Sequence, residues 1–295
     1  MHRLNFWIMA VTCTFSLSAL AQQKATNFGN VTSMQQPTQP EAPENDLNTK
    51  RFQFGAGVGT AQFKYSEAKM TEKVDDMTDL EAYAVFPIKT RMQVTGELGF
   101  LSGSGGYDGQ TQDGAPIKSG SDTSVSNLRG LFGWRLFTNE DQTSRILPYA
   151  GLGLRNLKNT IQGDGGYRRE VDYLYLPMGT EFAWETSNRW TFSIRPELRL
   201  LLLGTVTSYL SDANPDLPDV TNYQSSGAGF QISGSVRKQF QHFGIALQAY
   251  FEQWHVDDSD TQTTAFNSGG TEYELKTVEP SNDTQTVGIN ALVTF

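Results

Sequence analysis

One histidine stands in an acidic stretch of the chain, "EQWHVDDSD" at residues 252–260, where His255 is close to Asp257, Asp258 and Asp260. An imidazole beside a carboxylate can serve as a general base, because the carboxylate orients the ring and stabilises its charged form. The same carboxylates could also ligate a divalent cation through oxygen. A loop of acids with one histidine is nevertheless more typical of a solvated surface, so this pattern alone does not predict catalysis.

Other catalytic and metal-binding motifs are missing from the sequence. It contains no P-loop, no G-x-S-x-G elbow and no cluster with metal-ligand spacing. The acids of the polar linkers do not have the spacing of an EF-hand, and His242 is expected in a solvated turn. We therefore predict that the protein is not an enzyme and that it holds no metal and no cofactor.

The elements that position these residues are strands. Apolar and polar residues alternate in ten segments, and alternation with period two is the pattern of a strand with two different faces. Each segment is long enough to cross a bilayer at a tilt, which takes ~10 residues. The segments lie near residues 51–65, 77–88, 91–101, 123–137, 146–156, 171–185, 190–204, 224–237, 243–254 and 284–295.

The connections between the segments alternate in length. Long polar linkers, such as "SGSGGYDGQTQDGAPIKSGSD", follow the first, third, fifth, seventh and ninth segments, and shorter ones follow the others. A soluble β-sandwich gives no reason for every second connection to be long. The sequence therefore predicts an all-β fold, a closed antiparallel up-and-down transmembrane β-barrel of ten strands. Eight or twelve strands remain open, because the alternation of the first segment shifts near Thr60.

The same alternation assigns the two faces of each strand. In the seventh segment Trp190, Phe192 and Ile194 share one face, and Thr191, Ser193 and Arg195 share the other. A charge that faces lipid at mid-depth costs roughly 2–4 kcal/mol, so the charged face is expected to line the barrel interior. The predicted lumen charge network consists of Arg91, Glu97, Arg129, Arg135, Glu181, Arg195, Glu197, Arg199, Arg237 and Glu252.

This network admits two interpretations. A ten-stranded barrel is little wider than an eight-stranded one, whose interior side chains just fill it, so arginine and glutamate pairs are expected to close the lumen. Alternatively, the same charges select solutes in a narrow channel. Aromatic residues at one end of the strands (Trp134, Trp184, Trp190 and Phe243) are predicted to form a girdle at the membrane boundary.

The C-terminal segment "EPSNDTQTVGINALVTF", together with "PYAGLGLR" at Pro148 and "YLPMGTEFAW" at Tyr175, resembles the outer-membrane β-barrel proteins of Gram-negative bacteria. The resemblance covers residues 51–295 and points to no single family. It implies that Phe295 is the assembly signal read by the barrel-assembly machinery. Ten-stranded proteases of the omptin family use an Asp/His pair opposite an acidic pair at the rim, and the stretch around His255 is similar in kind but differs in order and spacing.

The first 50 residues are expected to be targeting and linker sequence. Residues 1–21 have a basic start, an apolar run and a small-residue cleavage site, which is the pattern of a secretory signal peptide. An uncleaved anchor is disfavoured, since the apolar run is shorter than the ~20 residues of a spanning helix. Residues 22–50 are polar and predict a flexible periplasmic tail, and Cys13 is the only cysteine in the chain.

We expect an integral protein of the cell outer membrane with periplasmic termini, long extracellular loops and a surface-binding or membrane-structural role. The alternatives are a narrow solute or ion channel and, less favoured, an omptin-like rim protease. The expected partners are outer-membrane lipid and lipopolysaccharide, the barrel-assembly machinery during biogenesis, and an extracellular ligand. The net charge of -9 argues against a nucleic-acid partner.

Overall fold

The computed structural model describes residues 52–89, 91–110, 114–268 and 270–295. The predicted signal peptide (1–21) and tail (22–50) lie outside the described residues. Fourteen strands are present in the described part of the chain. They are β1 (Gln53–Glu67), β2 (Met70–Lys89), β3 (Met92–Gln110), β4 (Pro116–Trp134), β5 (Leu136–Phe137), β6 (Ser144–Ile161), β7 (Arg168–Glu185), β8 (Trp190–Tyr209), β9 (Val220–Gln224), β10 (Gly227–Gln239), β11 (Gly244–Val256), β12 (Gln262–Ser268), β13 (Thr271–Thr277) and β14 (Asn282–Thr294).

Antiparallel pairing closes the sheet into a barrel. Neighbours in sequence pair with each other around the barrel, and β14 pairs with both β11 and β1. The closure extends to Phe295, whose backbone exchanges hydrogen bonds of 2.8 and 3.0 Å with that of Phe54. The short strand β5 continues β4 along β6, and β9 and β10 pair in succession with β8. Counted this way, the described residues form ten barrel strands, which confirms the predicted fold.

The two ends of the barrel differ. One end, called here the short-turn end, carries residue 295 and the connections 138–143, 186–189 and 240–243. The opposite end, called the long-hairpin end, is built from strands of up to 20 residues. Much of what the sequence suggested to be polar linker is strand, since only residues 111–115 separate β3 from β4. The polar composition of these segments led to their being interpreted as linkers. A strand that extends beyond the lipid needs no apolar outer face, so it can be polar and still be a strand.

A belt of large apolar side chains surrounds the outside of the barrel nearer the short-turn end. Leu98, Leu152 and Leu247 are 56%, 57% and 54% exposed, although each lies within a strand. The predicted girdle residues Trp134, Trp184, Trp190 and Phe243 are also exposed, at the short-turn end of their strands or in the adjoining turn. An exposed apolar surface of this extent suits contact with hydrocarbon.

Beyond the belt, the alternation of the strands is inverted. On β7, Val171 and Tyr173 point inward and are 2% exposed, whereas Asp172 between them is exposed. The same inversion explains the shift near Thr60, because β1 keeps one face inward throughout and its interior residues change from glycine to Ala61 and Phe63. The register irregularity lies in the pairing of β1 with β2, between Ala61 and Phe63.

A second, two-stranded sheet lies in the last long connection. The strands β12 and β13 pair only with each other, and Phe266 stacks on Tyr273 with ring centroids 5.5 Å apart. The described residues include no helix long and apolar enough to span a membrane.

Candidate functional site

Charged side chains meet at the middle of the barrel interior. They form what is called here the ionic layer: Glu97, Arg129, Arg155, Arg195, Glu197, Arg199 and Glu252. Glu197 is at its centre, with its side chain 1% exposed. Its carboxylate accepts from Arg129 Nη1 at 2.6 Å, from Arg199 Nε at 2.7 Å and from the Tyr149 hydroxyl at 2.9 Å. Three strands are therefore tied together through one carboxylate.

The two other acids extend the ionic layer across the barrel. Glu97 accepts from Arg195 Nη1 at 2.6 Å and pairs with Arg129, which connects β3 to β8 and β4. Glu252 accepts from Arg199 Nη1 at 2.5 Å. Its other oxygen accepts from the indole of Trp254, whose ring centroid is 6.0 Å from the Arg155 guanidinium and 5.8 Å from that of Arg199. Charge-assisted bonds of this kind are strong when both partners are desolvated and hold their donors in a fixed plane.

The remaining predicted network residues lie nearer the short-turn end. Glu181 pairs with Arg145, and both line a cavity near this end together with Arg237. Arg135 is 2% exposed. The prediction for Arg91 is wrong: it is exposed in the turn before β3 rather than inside the barrel. The strand begins one residue later than the alternation suggested, so Arg91 precedes the inward-facing positions of β3.

Sequence reasoning missed several interior residues. Arg145 lies one residue before the predicted start of its segment, so its position on the inner face of β6 was not recognised. Trp254 is fully buried in the interior, and its spacing of two residues from Glu252 and of four from Tyr250 was the available signal. The buried tyrosine Tyr149 likewise shares the inner face with Arg145 and Leu147.

An apolar layer fills the interior between the ionic layer and the long-hairpin end. Its members are buried side chains from most of the barrel strands and pack against one another: Ala61, Phe63, Tyr65, Val74, Met77, Leu101, Val125, Leu157, Val171, Tyr173, Leu201, Val206 and Val256. Two cavities lie between this layer and the short-turn end. The lower cavity, of about 170 Å³, is nearer the short-turn end, and the upper cavity, of about 70 Å³, reaches Leu101.

A polar cluster covers the apolar layer at the long-hairpin end. Arg169 pairs with Glu67 at 2.8 Å and with Glu279, and it donates to the Tyr65 hydroxyl at 2.6 Å. Glu72 accepts from Ser121 and Thr123 nearby, and burial raises the pKa of its carboxyl. This cluster lies beyond the apolar belt. It forms a third layer of packed side chains in the interior, after the ionic layer and the apolar layer.

The histidine that suggested chemistry faces outward. His255 is on the outer face of β11, beyond the belt, with its Nδ1 3.0 Å from Asp283 and its Nε2 3.4 Å from Asp257. His255 therefore points away from the barrel interior. Among the described residues, no group of three or more His, Cys, Asp or Glu side chains is arranged to hold a metal ion.

The two aspartates make His255 sensitive to pH. The hydrogen bond to Asp283 and the nearby Asp257 raise the pKa of the imidazole above its usual value of 6.5. The ion pairs therefore stabilise the fold below the ordinary histidine pKa, and this stabilisation is lost as the pH rises through the higher folded-state pKa. We expect an NMR titration to place the His255 midpoint above 6.5, and Asp283→Asn to lower it. A midpoint that Asp283→Asn leaves unchanged would contradict the pairing.

Comparison with known proteins identifies the fold. No family model matches the chain, and no curated protein matches it in sequence. The outer membrane protease OmpT from Escherichia coli is similar in structure, with a TM-score of 0.59 and 9% identity over 83% of this chain and 96% of that one. The fold is that of an outer-membrane β-barrel. The translocator domain of the autotransporter NalP from Neisseria meningitidis also aligns, with a TM-score of 0.42 and 9% identity over 83% of this chain and 89% of NalP.

The resemblance inferred from the C-terminal strand is therefore confirmed at the level of fold class. At 9% identity the similarity to OmpT concerns the fold alone. Function in an outer-membrane β-barrel depends on the side chains that the barrel presents in its interior and on its outer hairpins.

Proposed function

We propose that this protein is an integral outer-membrane barrel with a closed interior, which acts through the hairpins that it presents at the cell surface rather than by transport or catalysis. The apolar layer is the observation that carries the proposal. Phe63, Met77 and Val256 within it are at most 2% exposed, so the layer leaves little room for hydrated ions. A solute that crossed the barrel would have to displace the packed side chains of this layer.

The proposed orientation follows from the difference between the ends. In bacterial barrels of this type, short turns face the periplasm and long connections face outward. The short-turn end, with Phe295 as the assembly signal for the barrel-assembly machinery, is then periplasmic. The belt contacts outer-membrane lipid, and the extended strands of the long-hairpin end stand among the lipopolysaccharide chains.

The surface role is assigned to the long-hairpin end. The hairpin of β12 and β13 lies outside the barrel sheet, and it exposes Tyr273 beside the stacked Phe266. Tyr223 on β9 is also exposed. An exposed tyrosine provides an apolar ring and a polar hydroxyl for contact, which suits an extracellular ligand such as a protein or a glycan.

Cysteine labelling in intact cells tests this display. The chain's only cysteine is Cys13, which lies in the predicted signal peptide, so a single introduced cysteine can be followed alone. We expect Gly270→Cys, in the turn of the β12–β13 hairpin, to react with a membrane-impermeant maleimide in intact cells. His242→Cys, in a short turn, is the matched control and should react only after the outer membrane is permeabilised. The reverse pattern would contradict the proposed orientation.

A narrow channel is the second candidate, and the two cavities are the observation that favours it. They share Glu81, Glu97, Arg129, Gln231 and Gln248 in their linings, so together they extend from the short-turn end through the ionic layer. This path ends at Leu101, where the apolar layer begins. A channel would therefore require that layer to move.

A further inference from the structure

The lower cavity has the chemistry of a binding site. One wall consists of neighbouring strands, with Arg145 from β6, Glu181 from β7, Thr191 and Ser193 from β8, and Ser235 and Arg237 from β10. Thr191 is directly opposite Arg237 in the β8–β10 pairing, and Ser193 is opposite Ser235. Two arginines and three hydroxyl groups thus converge on one side of a space that the chain does not fill. The Ser193 and Ser235 hydroxyls bond to each other at 2.8 Å, so this pair has one proton left to donate to a ligand.

Two polar atoms of this wall lack hydrogen-bond partners among the described residues. They are the Nε of Arg145 and the hydroxyl of Thr191. Thr191 is 5% exposed, so burial removes most of its access to bulk water. A buried donor without a partner costs about 1–3 kcal/mol, which a bound acceptor would offset.

The charges of the lining favour an anion over a cation on this wall. Four arginines (Arg129, Arg145, Arg195 and Arg237) and three glutamates (Glu81, Glu97 and Glu181) line the cavity. Glu97 is held by Arg129 and Arg195, and Glu81 accepts from Gln248 and Asn290 on the far wall. Glu181 lies on the same wall as these donors, and it already binds Arg145 through Nη2.

The size of the space limits the ligand. A cavity of about 150 Å³ holds a benzene-sized molecule, and the lower cavity has about 170 Å³. The side chains of Arg145 and Glu181 retain 15% and 22% exposure, so solvent reaches this wall from the short-turn end. We propose that the lower cavity binds a small oxyanion, such as a phosphate, sulfate or short carboxylate, between Arg145, Arg237, the Thr191 hydroxyl and the hydrogen-bonded pair of Ser193 and Ser235.

Titration of the refolded, full-length mature barrel in detergent tests the proposal. The probes are sodium phosphate, sodium sulfate and sodium succinate at constant ionic strength, with binding followed by calorimetry. We expect saturable binding of at least one probe, and the preferred probe distinguishes a tetrahedral anion from a carboxylate. Arg145→Gln and Arg237→Gln should each weaken binding at least tenfold, and Thr191→Val should weaken it severalfold without changing the charge.

Two further variants separate a built site from general charge attraction. Glu181→Gln should strengthen binding, because it removes the carboxylate that competes for Arg145. Lys238→Gln is the matched control, since Lys238 follows Arg237 but contacts the Trp190 ring outside the barrel, and it should change affinity less than twofold. The absence of saturable binding for all three probes would overturn the proposal. Binding that Arg237→Gln and Thr191→Val leave within twofold, or that Lys238→Gln weakens equally, would overturn it as well.

Discussion

Replacing Glu197 with glutamine is expected to lower the free energy of unfolding by about 3–5 kcal/mol, the range for breaking a buried ion pair on one side. The carboxylate receives Arg129, Arg195 and Arg199 within 3.5 Å. Glutamine has nearly the same shape but no charge, so three guanidinium groups would remain together inside the barrel with one acceptor fewer. Reversible urea unfolding of the refolded barrel in lipid vesicles measures the difference.

A matched surface substitution separates this effect from a general loss of charge. Glu170 pairs with Lys158 and, at 4.0 Å, with Arg168 on the outer face of the barrel. Exposed pairs contribute ~0–1 kcal/mol, so Glu170→Gln should change the stability little. Equal effects of Glu170→Gln and Glu197→Gln would contradict the central position assigned to Glu197.

The ionic layer also predicts strong coupling between its members. Leucine at both 197 and 199 removes a carboxylate and the guanidinium that faces it, so the cost of the double substitution should be well below the sum of the single costs. This coupling would explain why the interior of a narrow barrel can hold many charges. Each charge is stabilised by partners on other strands, so the fold is fixed by their geometry as well as by the sheet.

The fold could be predicted from the sequence because lipid imposes a simple rule on each strand. Where a strand crosses the belt, as in Trp190, Phe192 and Ile194 of β8, the apolar side chains face outward and the polar ones inward. The rule depends only on local alternation, so one sequence is sufficient to apply it. It also places Glu97 and Glu197 inside the barrel, where the structure has them.

The same rule fails beyond the lipid. There the strand is surrounded by water outside and by packed side chains inside, so Val171 and Tyr173 point inward as they would in a soluble protein. The lipid rule applied to the whole chain therefore ends each strand too early and assigns the remainder to a loop. For this reason the apolar layer could not be predicted from alternation. The pairing of Arg145 with Glu181 could not be predicted either, because it depends on a strand boundary, and alternation locates boundaries poorly.

Thinning the apolar layer should open the barrel. Phe63, Met77 and Leu101 lie in this layer, and Leu101 forms the end of the upper cavity. Serine at these three positions removes most of the side-chain volume while the backbone hydrogen bonds of β1, β2 and β3 remain. Because the two cavities share lining residues in the ionic layer, we expect the triple variant to show small, discrete conductance steps. A serine variant that is folded but silent would mean that the ionic layer and the polar cluster are sufficient to close the interior without this layer.

The conductance of the wild-type barrel is the most direct test of a closed interior. Refolded protein would be inserted in planar bilayers, and its folded state would be verified by heat-dependent migration on a gel, so that silence cannot result from failed folding. The predicted result is no steady current from the wild-type barrel under conditions in which the triple serine variant conducts. Steady, ion-selective steps from the wild-type barrel would contradict the closed interior and would make the protein a channel.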